Sequence, residues 1–108
     1  MIKILASLGT EEAFMISAQG HAQAARNEND HDLVCCAVST LLGTLANSCA
    51  WVGDVNVTYQ TSSGNGLVTV TNISDDLWGE IASRFRMAMD GLEVLREQYP
   101  ESLKISVE

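Results

Sequence analysis

Residues 32–52 read Asp-Leu-Val-Cys-Cys-Ala-Val-Ser-Thr-Leu-Leu-Gly-Thr-Leu-Ala-Asn-Ser-Cys-Ala-Trp-Val. Val34, Val38, Leu41, Leu42, Leu45, Cys49 and Val52 recur at helical spacing. Asp32 stands where an N-cap carboxylate would accept from the N–H of Val34 or Cys35. No charged residue falls between Leu33 and Val52. The stretch therefore predicts a helix that starts at Asp32 and is buried around most of its circumference.

Working outward from this helix, the periodicity changes on both sides. Upstream, Ile2 to Ser7 is a short apolar run, and Gly9-Thr10-Glu11-Glu12 reads as a turn. Phe14, Ile16 and Ala18 then alternate with Met15, Ser17 and Gln19, which is strand periodicity. His21 follows on the Met15 face. Residues 23–30 are polar and read as a loop. Downstream, Val55, Val57 and Tyr59 alternate, as do Val68 and Val70. Between them Ser62-Ser63-Gly64-Asn65-Gly66 predicts a β-hairpin with an Asn-Gly turn. Ser74-Asp75-Asp76 supplies a cap and first-turn acids for a second helix. Leu77, Ile81, Phe85, Ala88, Leu92 and Leu95 give that helix one apolar face, and Pro100 ends it. Leu103, Ile105 and Val107 alternate as a closing strand. The order ββαββαβ predicts an α+β fold, with a mostly antiparallel sheet and two helices packed on one face.

A chain of 108 residues fits a single domain, residues 1–108, with a sizeable core. The net charge of −8 argues against nucleic acid, whose binders present basic patches, and favours a basic partner. No uninterrupted apolar run reaches the length of a membrane span, and the start, with Glu11 and Glu12 close behind, is a poor secretory signal. Neither a membrane nor secretion is expected. Three cysteines, two of them adjacent, are no secreted disulfide framework. A reducing cytoplasm is the expected setting.

Gly20-His21 ends an apolar strand, and Cys35 lies near the start of an apolar helix. A thiol with a reference pKa near ~8.5 is mostly protonated at neutral pH, and the reactive form is the thiolate. A first helical turn favours negative charge, and a nearby histidine can take the proton. Cys36 is turned about 100° from Cys35 around the helix and is expected to face the core. Cys49 lies ~21 Å further along the axis. His21, His31, Cys35 and Cys36 make a poor zinc set, because adjacent helical cysteines splay apart and no Cys-x-x-Cys is present. Neither a metal nor a cofactor is expected. Trp51 and Trp78 read as core or dimer-contact residues.

Gly20-His21-Ala22, an intervening loop and Asp32-Leu33-Val34-Cys35-x-Ala37-Val38-Ser39 together resemble the signature of the ribosomal-processing cysteine protease family (Prp). The strands, hairpin and acidic second helix extend the likeness over nearly the whole chain. The resemblance implies that His21 is the base and Cys35 the nucleophile, with Asp32 and Ser39 at supporting positions. Gly20 would allow close backbone approach to substrate. It further implies a homodimer that removes a short, flexible N-terminal extension from a basic large-subunit ribosomal protein of the L twenty-seven type, cutting after an aromatic residue. The rival expectation is a non-catalytic module that binds ribosomal protein.

Overall fold

The computed structural model describes residues 1–20, 28–62 and 64–108, with the side chains of residues 28–32 outside the description. The elements are β1 (Ile2–Leu8), β2 (Phe14–Gln19), α1 (Glu28–Ala50), β3 (Asn56–Ser62), β4 (Asn65–Thr71), α2 (Asp75–Gln98) and β5 (Leu103–Val107). They run ββαββαβ, as the periodicity predicts. The five strands form one sheet in the order β3-β4-β2-β1-β5. Every pairing is antiparallel except β1 with β5.

Alternation fixes which face is buried. Ile2, Ile4 and Ala6 of β1 are buried, as are Phe14, Ile16 and Ala18 of β2 and Val68 and Val70 of β4. The register sets Ala6 opposite Ile16, Ile16 opposite Val68 and Phe14 opposite Val70, so these side chains share one face. Both helices cover it: α1 packs over β3 and β4, and α2 over β2 and β5. Ile81, Phe85 and Leu92 are the fully buried anchors of α2. Each such side chain removed from water stabilises the fold by roughly 1.5–3 kcal/mol. Phe14 links sheet to helix, with ring centroids 4.8 Å from Trp78 and 5.2 Å from Phe85.

Five sequence expectations are corrected. First, α1 begins at Glu28, not at Asp32. Acidic residues suit a first helical turn as well as a loop, so residues 28–30 read as loop yet fold as helix. Asp32 is an internal helical residue and not the cap. Second, α1 is buried along one stripe only: Val34, Val38, Leu42, Leu45, Ala46 and Cys49. Beyond Asp32 its other positions are uncharged, and Ser39, Thr40, Thr44 and Asn47 face solvent, as does Leu33. Third, Leu33–Ala50 is by length and composition apolar enough to cross a membrane, although no uninterrupted apolar run reached that length. The buried stripe shows how the same segment serves as a core helix. Fourth, Asn65 and Gly66 belong to β4. Ser62 pairs with Asn65, which leaves residues 63–64 as the connection, and Gly64 takes the left-handed φ of +78°. Ser63 lies outside the described residues. Fifth, Trp51 is 87% exposed, so it is no core residue.

Candidate active site

A cavity of about 350 Å³ opens between the first half of α1 and the β3–β4 hairpin. Its origin is a run of small residues. Along the helix-covered face of the sheet, Phe14 and Ile16 give way to Ala18, and Val70 and Val68 give way to Gly66, which pairs with Ala18. A Cβ on Gly66 would lie 3.0 Å from Leu42 Cδ1, so α1 sits directly over the missing side chain. The core thins there and leaves a hollow with Ile2, Val38 and Leu42 at its base.

Cys35 and Ser39, one helical turn apart, project from α1 into this hollow. Cys35 is half-buried and Ser39 exposed. Gly20 lines the opposite side. Its N–H donates to the Gly64 carbonyl at 2.7 Å, which extends the β2–β4 ladder by one rung. Gly20 has φ of +100°, and a Cβ there would collide with the Met1 carbonyl oxygen. The chain therefore needs glycine here for its own packing.

Of the site residues read from the sequence, the structure brings Gly20, Cys35 and Ser39 together. His21 lies outside the described residues, and so does the Asp32 side chain. The helix-start argument for Cys35 is lost. Cys35 is the eighth residue of α1, roughly 10 Å from its first residue at 1.5 Å per residue, and the terminal field acts within one turn. Cys36 is exposed, contrary to the expectation that it faces the core. The buried stripe passes through Val34 and Val38, and Cys36 stands on the far side of the helix from it.

The hairpin's share of the site went unread in the sequence. Tyr59, Thr61, Ser62 and Asn65 complete the cavity wall. A Cβ on Gly43, two turns beyond Cys35, would lie 3.4 Å from the Tyr59 hydroxyl. The available signal was charge: from Val55 to Ser74 there is none. Among the described residues no group of three His, Cys, Asp or Glu side chains is placed to hold a metal ion.

The other buried thiol is a contrast. Cys49 is fully buried at the far end of α1, and burial pushes its pKa up to about 11, against the pull of the Arg84 guanidinium. Arg84 donates to Ser48 Oγ at 2.8 Å and to Glu80 Oε2 at 2.6 Å, which ties α2 to α1 beside that thiol.

Residues 1–104 match the family described as cysteine protease Prp. The chain belongs to this family. As a Prp-family member it is a cysteine protease. No curated protein matches the sequence. Among solved structures, the chain is similar to the essential ribosomal processing protease Prp from S. aureus in complex with a covalently linked product peptide, with a TM-score of 0.75 at 18% identity and full coverage of both chains. The same S. aureus protease in complex with a substrate peptide gives a TM-score of 0.74 at 18% identity, again over both whole chains. A Streptococcus mutans protein gives 0.73 at 24% identity, covering 99% of this chain and 93% of the other. These structures share the Prp fold of five strands and two helices.

Proposed function

We propose that this chain is a one-domain cysteine endopeptidase in which Cys35 is the nucleophile and His21 the base. The supporting observation is that Cys35, alone among the three cysteines, opens into the cavity that Gly20, Ser39 and the hairpin line. His21 follows Gly20 directly in sequence. His21 takes the thiol proton, and Cys35 Sγ attacks the scissile carbonyl carbon. The C–N bond breaks as the leaving amine receives the proton from His21. Water, deprotonated by His21, then cleaves the thioester and returns the thiol. Ser39, which lines the cavity, hydrogen-bonds substrate at its rim, and Asp32 supports the segment between His21 and Cys35.

The substrate is the short N-terminal extension of a basic large-subunit ribosomal protein of the L twenty-seven type, cut after an aromatic residue. The net charge of −8 suits such a partner. The S. aureus structures, of a ribosomal processing protease with peptide, support the same class of substrate. The enzyme works as a cytoplasmic homodimer. Incubation with the host's own extended ribosomal protein, followed by intact-mass measurement, tests the reading. Loss of a short N-terminal peptide is expected with the wild-type protein and not with Cys35→Ala. Cleavage that survives Cys35→Ala but is lost in Cys36→Ala contradicts it.

A further inference from the structure

β3 is an edge strand, and its free side borders the cavity that holds Cys35. An unpaired edge offers a row of backbone donors and acceptors to another chain, and proteins usually blunt it with charge or proline. The other edge, β5, carries Lys104; β3 reads Asn-Val-Thr-Tyr-Gln-Thr-Ser over seven residues, with neither charge nor proline.

The hydrogen-bonding parity of β3 follows from the register. Gly20 N–H donates to the Gly64 carbonyl, so the even-numbered residues of β2 and β4 bond to one another. The odd-numbered residues of β4 then bond to β3: Asn65 with Ser62, Leu67 with Gln60, Thr69 with Thr58. Val57, Tyr59 and Thr61 therefore turn their N–H and C=O groups outward. Tyr59 and Thr61 also line the Cys35 cavity on the helix-covered face. Gln60 and Ser62, on the other face, line a second hollow with Gln19 and Leu67. The two hollows share Ala18, Thr61, Ser62, Asn65 and Gly66, so they meet at the hairpin end of the sheet, beside this free edge.

We infer that the free edge of β3 is the substrate-docking strand: an extended segment of the polypeptide substrate adds to the sheet by pairing with Tyr59 and Thr61. Alternate side chains of an added strand point to opposite faces. One set enters the hollow that holds Cys35, and the other enters the hollow at Gln60. An uncharged edge on an acidic protein accepts a basic, flexible chain without burying unpaired charge. This inference rests on the peptidase reading above and specifies how that site holds its substrate.

The test is a backbone N-methyl scan of a peptide carrying the extended N-terminus of the host's ribosomal protein, using wild-type enzyme and reading kcat/KM. Strand pairing uses every second N–H of the substrate. Losses of about tenfold or more at alternate positions, with little change between them, are expected on the basis of ~1–1.5 kcal/mol per backbone hydrogen bond. Thr61→Pro removes an outward N–H and spares the hairpin ladder. It is expected to lower kcat/KM about tenfold, with the loss falling in KM rather than kcat. A scan with no two-residue periodicity overturns the inference. So does a Thr61→Pro protein that changes oligomeric state on sedimentation but cleaves normally, since the edge would then be covered by a second copy. If the unmodified peptide is not cut at all, the substrate assignment fails; the edge is then judged by the same periodicity in peptide binding to Cys35→Ala.

Discussion

The two halves of α1 carry the same functional group in opposite circumstances. In one half Cys35 is half-buried and opens into a cavity of about 350 Å³. In the other, Cys49 is fully buried in the core, with its pKa pushed up to about 11. Both lie on the uncharged stretch of one helix, beyond Asp32, and helix periodicity alone does not separate them. What separates them is the opposing surface. Near Cys35 the sheet presents Ala18, Gly66 and Gly20, which leave space; Cys49 packs within the continuous apolar cluster. A thiol becomes available for chemistry where the residues facing it are small.

That comparison breaks if the wrong thiol proves essential. Cys35→Ala is expected to lower peptide cleavage by about 10³-fold or more, as loss of a covalent nucleophile does, whereas Cys49→Ala stays within about threefold. Parallel kinetics of the two purified variants check this.

The pH dependence of stability sharpens the buried half. The Cys49 thiol titrates near 9.0 when unperturbed and near 11 when folded. Above about pH 9 the unfolded chain releases this proton while the folded chain keeps it, so stability falls as pH rises from about 9 to about 11. The loss attributable to Cys49 is on the order of 2 kcal/mol. Urea denaturation of wild type and Cys49→Ala across that range is expected to show the steeper decline in the wild type. Equal slopes would mean that the thiol is not sealed.

The open half is sharpened by Gly66→Ala. The added methyl lies 3.0 Å from Leu42 Cδ1 at the cavity base. It is expected to cost about 1 kcal/mol of stability through overpacking, and to raise KM several-fold by narrowing the hollow. A thermal melt together with steady-state kinetics checks both effects.

Much of the fold was legible because strand alternation is a direct consequence of one-sided burial. Phe14, Ile16 and Ala18 point to the core as their spacing demands, and Ile81, Phe85 and Leu92 do so from α2. The start of α1 was not legible, because Glu28, Asn29 and Asp30 suit both a polar loop and a first helical turn. The hairpin turn was misplaced by two residues because Gly64 supplies the positive φ that the Asn65-Gly66 pair also suggests. On the site side, Gly20, Cys35 and Ser39 were found by motif, and the cavity joins them. The contribution of Tyr59 and Thr61 arises from packing the hairpin under α1, and its one local trace is the lack of charge from Val55 to Ser74. Absence of charge from Leu33 to Val52 suggests burial around most of the helix; small polar residues such as Ser39 and Thr44 satisfy the first without the second.

The central claim is that the cavity thiol, and neither of its two helical companions, reacts with substrate. The most direct measurement is to treat the native protein with a peptidyl chloromethyl ketone built on the sequence preceding the cleavage site, and to map the adduct by tandem mass spectrometry. A single adduct on Cys35, blocked by prior incubation with the unmodified peptide, is the expected result. An adduct on Cys36, or labelling that the peptide does not protect against, would contradict it.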